Sequence, residues 1–149
     1  DMKSIQTRNQ TYRNIAARIP AKRKRIYEII TSYTAGITAQ QISDRYNIPI
    51  NQITGRITEL KDMCFIKEHK MQLNDVTLNY CTSYKAITDN EELIEITSKK
   101  YVELVDKRSS LITDHFNNNS NHTNDFIKKE LLKIERKIKQ LGETQKLAS

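Results

Sequence analysis

Apolar residues fall at helical spacing through the first half of the chain, and at strand spacing after that. Ile26, Tyr27, Ile29, Ile30 and Tyr33 recur at i, i+3, i+4 and i+7 intervals, which predicts an amphipathic helix over 23–34. Gly36 ends it. Thr38 then opens a second helix, with Gln41 three residues on as the partner of a capping box and Ile42 and Tyr46 on its apolar side. Asn47-Ile48-Pro49 is a tight turn, because proline cannot continue the helix. A third helix follows, carrying Ile53, Ile57 and Leu60. Beyond it the period shortens to two. Residues 63–70 and 78–87 alternate around a polar turn at Asn74 and Asp75, which predicts a hairpin that sets Cys64 facing Cys81.

The last third has a different texture. Leu93, Ile94, Ile96, Tyr101, Val102, Leu104, Val105, Leu111, Ile112 and Phe116 predict one long amphipathic helix over 90–116. The asparagine-rich stretch 117–124 reads as a loop. Ile127, Leu131, Ile134, Ile138 and Leu141 then follow at spacings of 4, 3, 4 and 3, a heptad seam. So short a seam is marginal when isolated. It must be covered, by helix 90–116 in an antiparallel hairpin or by a second subunit in a homodimer, and the pattern leaves both open. At the other end, residues 1–21 are polar and closed off by Pro20, an arm with one short helix around 12–18. The expected organisation is a basic arm over 1–22, a domain over 23–88 and a dimerising helical hairpin or coiled coil over 89–149. The fold class is mainly α with a small β-hairpin.

Charge sharpens this division. Residues 1–27 hold eight Lys/Arg and one acid, residues 28–88 six of each sign, and residues 89–149 eleven of each. The whole net charge of +7 therefore belongs to the N-terminal segment, densest at Lys22, Arg23, Lys24 and Arg25. A basic arm gains affinity for a phosphate backbone by releasing counterions, whatever the base sequence; the plainer reading is a solvated tail. No apolar run approaches the ~18 residues of a membrane span, so the expectation is a soluble cytoplasmic protein with no membrane partner. Asp1 ahead of Met2 reads as a tag remnant. Two cysteines make no disulfide framework, and neither they nor His69, His115 and His122 have the spacing of a metal site. With no phosphate-binding glycine loop and no nucleophile elbow, neither a catalytic activity nor a cofactor is expected.

The face of the third helix opposite Ile53 is short, polar and hydrogen-bonding. Asn51, Gly55, Thr58 and Asp62 point outward, flanked by Gln52, Thr54 and Glu59. Asn and Gln pair with adenine edges, and Thr touches a base or a thymine methyl. Gly55 lets a partner approach closely. The two acids count against such a role, and an ordinary solvent face would look similar.

The run from Gly36 to Ser43, the run from Asn47 to Leu60 and Phe65-Ile66-Lys67 together resemble a winged helix-turn-helix domain. The likeness is to the small phage and mobile-element proteins of this type and, more loosely, to MarR-like regulators. It spans about 65 residues, and Cys64 stands where those chains carry a glycine at the start of the wing, so the strand is expected to begin without the customary sharp turn. The resemblance implies sequence-specific binding of double-stranded DNA by a transcriptional regulator. The helix over about 50–62 would enter the major groove through Asn51, Gln52, Thr54, Gly55 and Thr58. Arg56 would touch phosphate, or else brace the second helix through Asp44. Lys67, His69, Lys70 and Lys85 would reach flanking phosphates or the minor groove, and Lys22, Arg23, Lys24 and Arg25 would follow the backbone. Two rival expectations stand beside it: a module that docks a host protein, and a replication or partition accessory protein that binds DNA.

Overall fold

A computed structural model describes residues 2–117 and 121–148 of the chain. The chain forms two compact units, residues 1–93 and 94–149. Among the described residues there are six helices and one antiparallel sheet of three strands, so the protein is mainly helical with a small β element.

The first unit begins with α1 (Met2–Arg18), longer than the short helix expected around 12–18. Thr11, Ile15 and Ile19 are buried, and Tyr12 stacks on Tyr27 with ring centroids 5.9 Å apart. The segment expected as an arm therefore supplies part of the core. Its hydrophobic content is low, but the few apolar residues fall on one side, and burial of that side supports a helix that propensity alone would leave marginal. Exposed Arg8, Arg13 and Arg18 keep the basic character outside.

Pro20 breaks the chain, and α2 (Ala21–Ser32) buries Ile26, Tyr27, Ile29 and Ile30. Gly36, at φ +93°, turns the chain into β1 (Ile37–Thr38). An ideal Cβ at Gly36 would lie 3.2 Å from both the His69 ring and the Ser83 hydroxyl, so glycine is needed here for approach as well as for φ. Thr38 caps α3 (Ala39–Tyr46) with the complete capping box: the Gln41 N–H donates to Thr38 Oγ1 at 3.1 Å, and the Thr38 N–H donates to Gln41 Oε1 at 3.0 Å. Asn47 takes a left-handed conformation, Ser43 donates to the Ile48 carbonyl at 2.7 Å, and Pro49 precedes α4 (Ile50–Asp62). Ile53, Ile57 and Leu60 are buried as the spacing predicts. They share the core with Ile42 and with Phe65, whose ring meets Tyr27 edge-on at 6.4 Å.

The end of α4 departs from expectation. Cys64 occupies the left-handed region at φ +61° and makes the sharp turn that a glycine would have made. Its N–H donates to the Lys61 carbonyl and the Phe65 N–H to the Leu60 carbonyl, both at 3.0 Å, which is the Schellman pattern of a helix C-terminus. Burial of the Cys64 thiol and of Phe65 holds the turn closed. The hairpin β2 (Ile66–Leu73) and β3 (Tyr80–Ala86) follows, and the sheet order is β1-β3-β2. Cys81 lies opposite Gln72, so the two cysteines do not face each other, and neither forms a disulfide.

In the second unit, α5 (Asn90–Asn117, which enters this unit at Ile94) and α6 (Asn121–Lys146) are bridged by three polar pairs. Ser98 meets Gln145 at 3.2 Å, Arg108 meets Glu135 at 3.0 Å, and His115 meets Asn124 at 3.1 Å, the order of an antiparallel pair. The heptad seam is thus covered inside the chain: Ile127, Ile134 and Leu141 are buried, and Leu131 and Ile138 half-buried. Ile127, Ile134 and Leu141 pack within the hairpin, while Tyr101, Val102, Ile112, Phe116, Phe126 and Leu132 of the same two helices stay exposed. Helix α6 begins at Asn121, so the expected loop over 117–124 is shorter than its composition suggests; its residues 118–120 lie outside the described residues.

Candidate nucleic-acid interface

Two groups of cations gather on the first unit. Lys22 and Arg25 on the first turns of α2 share a cavity of about 290 Å³ with Gln52 and Arg56 of α4, over a floor of Ile26 and Ile48. Residues 30 apart in sequence converge because Ile26 and Ile53 are both drawn into the core where α2 packs on α4. Helix α4 opens beside this cavity with Pro49, which offers no side-chain cap, so its positive dipole end is not quenched by a side chain.

Glu59 ties the same two helices. Its Oε2 accepts from Arg23 Nε at 2.5 Å and from Arg56 Nη1 at 2.8 Å. Partial burial pushes the Glu59 carboxyl up, but the two arginine hydrogen bonds and their charges outweigh it and hold the group below the usual glutamate range. Of the two acids that count against a nucleic-acid role, Glu59 is therefore paired with two arginines. Arg56 neither braces α3 through Asp44 nor stands free; Asp44 pairs instead with Gln40 at 2.9 Å.

Asn51, Gln52, Thr54, Gly55 and Thr58 are exposed on the outward side of α4. The hydroxyls of Thr54 and Thr58 donate back to the carbonyls of Asn51 (3.3 Å) and Thr54 (3.0 Å), leaving oxygen lone pairs and methyl groups toward solvent. Nothing lies within 4 Å of an ideal Cβ at Gly55, so the fold itself does not require glycine there.

The second group sits at a β-bulge. Glu68 pairs with Tyr84 and Met71 with Thr82, so His69 and Lys70 together oppose Ser83. Ser83 is buried, and its hydroxyl donates to the Lys70 carbonyl at 2.9 Å and accepts from the Lys70 N–H at 3.3 Å. His69 and Lys70 are both exposed, as are Glu68 and Met71 on either side of them. Desolvation, followed by the charges of Lys85, Lys70 and Lys67, holds the His69 imidazole below its ordinary value. Lys67, expected at a phosphate, is paired with Glu92. It also stands opposite Lys85 in the hairpin register, and Glu92 offsets that repulsion.

The structure thus brings Lys22, Arg25, Gln52 and Arg56 to one cavity, and His69 and Lys70 to one bulge, with Lys85 opposite Lys67 in the ladder beside it. Lys24 is exposed outside the cavity lining, and Arg23 and Lys67 are committed to carboxylates. Sequence reasoning missed Glu59 as the link between α2 and α4. Its i, i+3 relation to Arg56 was visible, while Arg23 is 36 residues away. No group of three or more His, Cys, Asp or Glu among the described residues is placed to hold a metal. No helix of the described chain is long and apolar enough to cross a membrane. Comparison with protein-family models and with curated proteins finds no match to this chain.

Proposed function

We propose that residues 23–88 are a winged helix-turn-helix domain that binds double-stranded DNA in a sequence-specific manner, as a transcriptional regulator of phage or mobile-element type. In this reading α3 and α4 form the helix-turn-helix and β2–β3 the wing. Asn51, Gln52, Thr54 and Thr58 read base edges in the major groove, and Gly55 allows close approach. Lys22, Lys24, Arg25, Lys70 and Lys85 meet the phosphates that set the register. The observation that carries the proposal is the outward face of α4. It is polar and rimmed by cations, and Glu59 at its flank is paired with Arg23 and Arg56.

Selection of duplexes from a random library, read by mobility shift at two salt concentrations, tests it. Enrichment of a defined site that Asn51→Ala and Gln52→Ala abolish is the expected result. Binding that is sequence-blind and vanishes at higher salt would overturn it. Gly55→Ala adds a sharper test. It should stabilise α4 by about 0.5–1 kcal/mol, as alanine exceeds glycine in helix propensity, and yet weaken DNA binding because a methyl group intrudes on the contact. A variant that is more stable and binds DNA equally well would show that the α4 face is plain solvent surface.

A second reading has its own support. Met71, Leu73, Val76, Leu78 and Tyr80 are exposed around the hairpin tip, with Val76 at 91%. Contiguous exposed apolar residues mark protein contact more often than DNA contact. A host protein docked there would make the domain an interaction module, and polar substitution of Leu73 and Tyr80 would abolish that docking without touching DNA affinity.

A further inference from the structure

The cavity between α2 and α4 has features that a general attraction to phosphate does not require. It is about 290 Å³, the small end of the ~300–1,000 Å³ range of small-molecule sites and more than a bare anion needs. Its floor is apolar, from Ile26 and Ile48, while Lys22, Arg25 and Arg56 stand on its walls with the Gln52 amide. Arg56 is held in place by its 2.8 Å bond to Glu59, so one wall group is ordered before any ligand arrives. Glu59 takes up part of the positive charge of Arg56 and of Arg23, so Lys22 and Arg25 carry most of the charge that meets a ligand beside Arg56.

We propose that this cavity binds one sugar–phosphate unit, the phosphate between Lys22, Arg25 and Arg56 and the sugar against Ile26 and Ile48. That chemistry comes either from a nucleic-acid backbone or from a free mononucleotide. The inference deepens the DNA-binding reading, but stands on the cavity alone. If the backbone is the source, the unit anchors α4 in register. If the source is a free nucleotide, the nucleotide occupies the cavity alongside DNA bound on the α4 face.

Backbone amide NMR of the full chain, titrated with thymidine 5′-monophosphate at constant ionic strength, tests the site. Thymidine alone, inorganic phosphate and the variants Lys22→Ala/Arg25→Ala and Lys137→Ala serve as comparisons. Saturable shifts confined to residues 22–26, 48–52 and 56 are expected. Thymidine should produce none, and inorganic phosphate should bind about tenfold more weakly because it leaves the apolar floor unused. The double variant should lose at least tenfold in affinity, as removal of charge-assisted hydrogen bonds does, and Lys137→Ala should change nothing. Shifts scattered over the basic residues of α1 and α6, absence of saturation, or an unaffected double variant would each overturn the proposal. A short duplex then separates the sources. Loss of the nucleotide shifts on adding duplex assigns the cavity to the backbone, and their persistence on a DNA-bound chain assigns it to free nucleotide. Nucleotide binding without any duplex binding would remove the DNA reading and leave the site; duplex binding with no nucleotide binding would do the reverse.

Discussion

Glu59 holds two guanidinium groups on one oxygen, and this sets the sign of its pH dependence. Its carboxyl is held below the usual range in the fold, so its contribution is complete above the unfolded value of about 4.3 and is lost as pH falls through the lower folded value. Both side chains of the Arg56 pair are over a third exposed, at 35% and 37%, so solvent screening limits the contribution to under about 1 kcal/mol. Urea denaturation of wild type and Glu59→Gln should therefore differ by a constant amount from pH 7 to 5 and converge below pH 4. In DNA binding the same substitution removes a negative charge beside the cavity, and should raise affinity for all sequences alike. Cys64 makes a comparable argument about backbone. A left-handed conformation costs an L-residue about 1–2 kcal/mol, which Cys64 bears at φ +61° with a buried thiol in partial return. Cys64→Gly should be close to neutral, relief of strain offsetting lost packing, while the β-branched Cys64→Val should cost about 2 kcal/mol or more. Equal stability of the two variants in urea would show that the turn has no such strain.

At the scale of elements, α1 changes what a truncation means. A solvated arm can be removed with loss of non-specific affinity alone. Here Ile15 is fully buried and Tyr12 stacks on Tyr27, so Ile15→Ala should destabilise the first unit by about 2–5 kcal/mol in denaturant titration. A shift below about 0.5 kcal/mol would return α1 to the status of an arm. Tyr27 itself is buried without a hydrogen-bond partner for its hydroxyl, and burial pushes its ionisation well up. The neighbouring Thr31 hydroxyl donates to the Tyr27 carbonyl at 2.8 Å instead. The bulge at His69–Lys70 works at this scale too, setting two residues opposite Ser83 where period-two reasoning foresees one.

For the whole molecule, the distribution of charge yields the measurement with the widest reach. All of the net +7 lies in residues 1–27, yet part of it is internally compensated through Glu59. Under the DNA-binding proposal, contacts from Lys22, Lys24, Arg25, Lys70 and Lys85 should give a slope of log affinity against log salt of roughly −4 to −5, at about −0.9 per phosphate. A slope near zero would leave no place for nucleic acid as the partner. Residues 89–149 add no net charge to this balance, but the second unit itself, residues 94–149, holds eleven Lys/Arg against eight acids and is +3.

Local and periodic features were legible in the sequence, because their causes lie within a few residues of one another. The capping box at Thr38 and Gln41, the stop at Pro49, the buried face of Ile53, Ile57 and Leu60, and the hairpin around Asn74 all follow from short-range geometry and side-chain period. The exposed positions of the candidate site, Asn51, Gln52, Thr54, Gly55 and Thr58, were readable as the complement of that buried face. What tertiary structure alone decided depends on distant partners. These are the recruitment of α1 to the core, the convergence of Lys22 and Arg25 with Gln52 and Arg56, the commitment of Arg23 and Lys67 to Glu59 and Glu92, and the closing of the heptad seam by α5. An amphipathic pattern states that a face must be covered but not by what, and a charge run states sign but not which members are already paired.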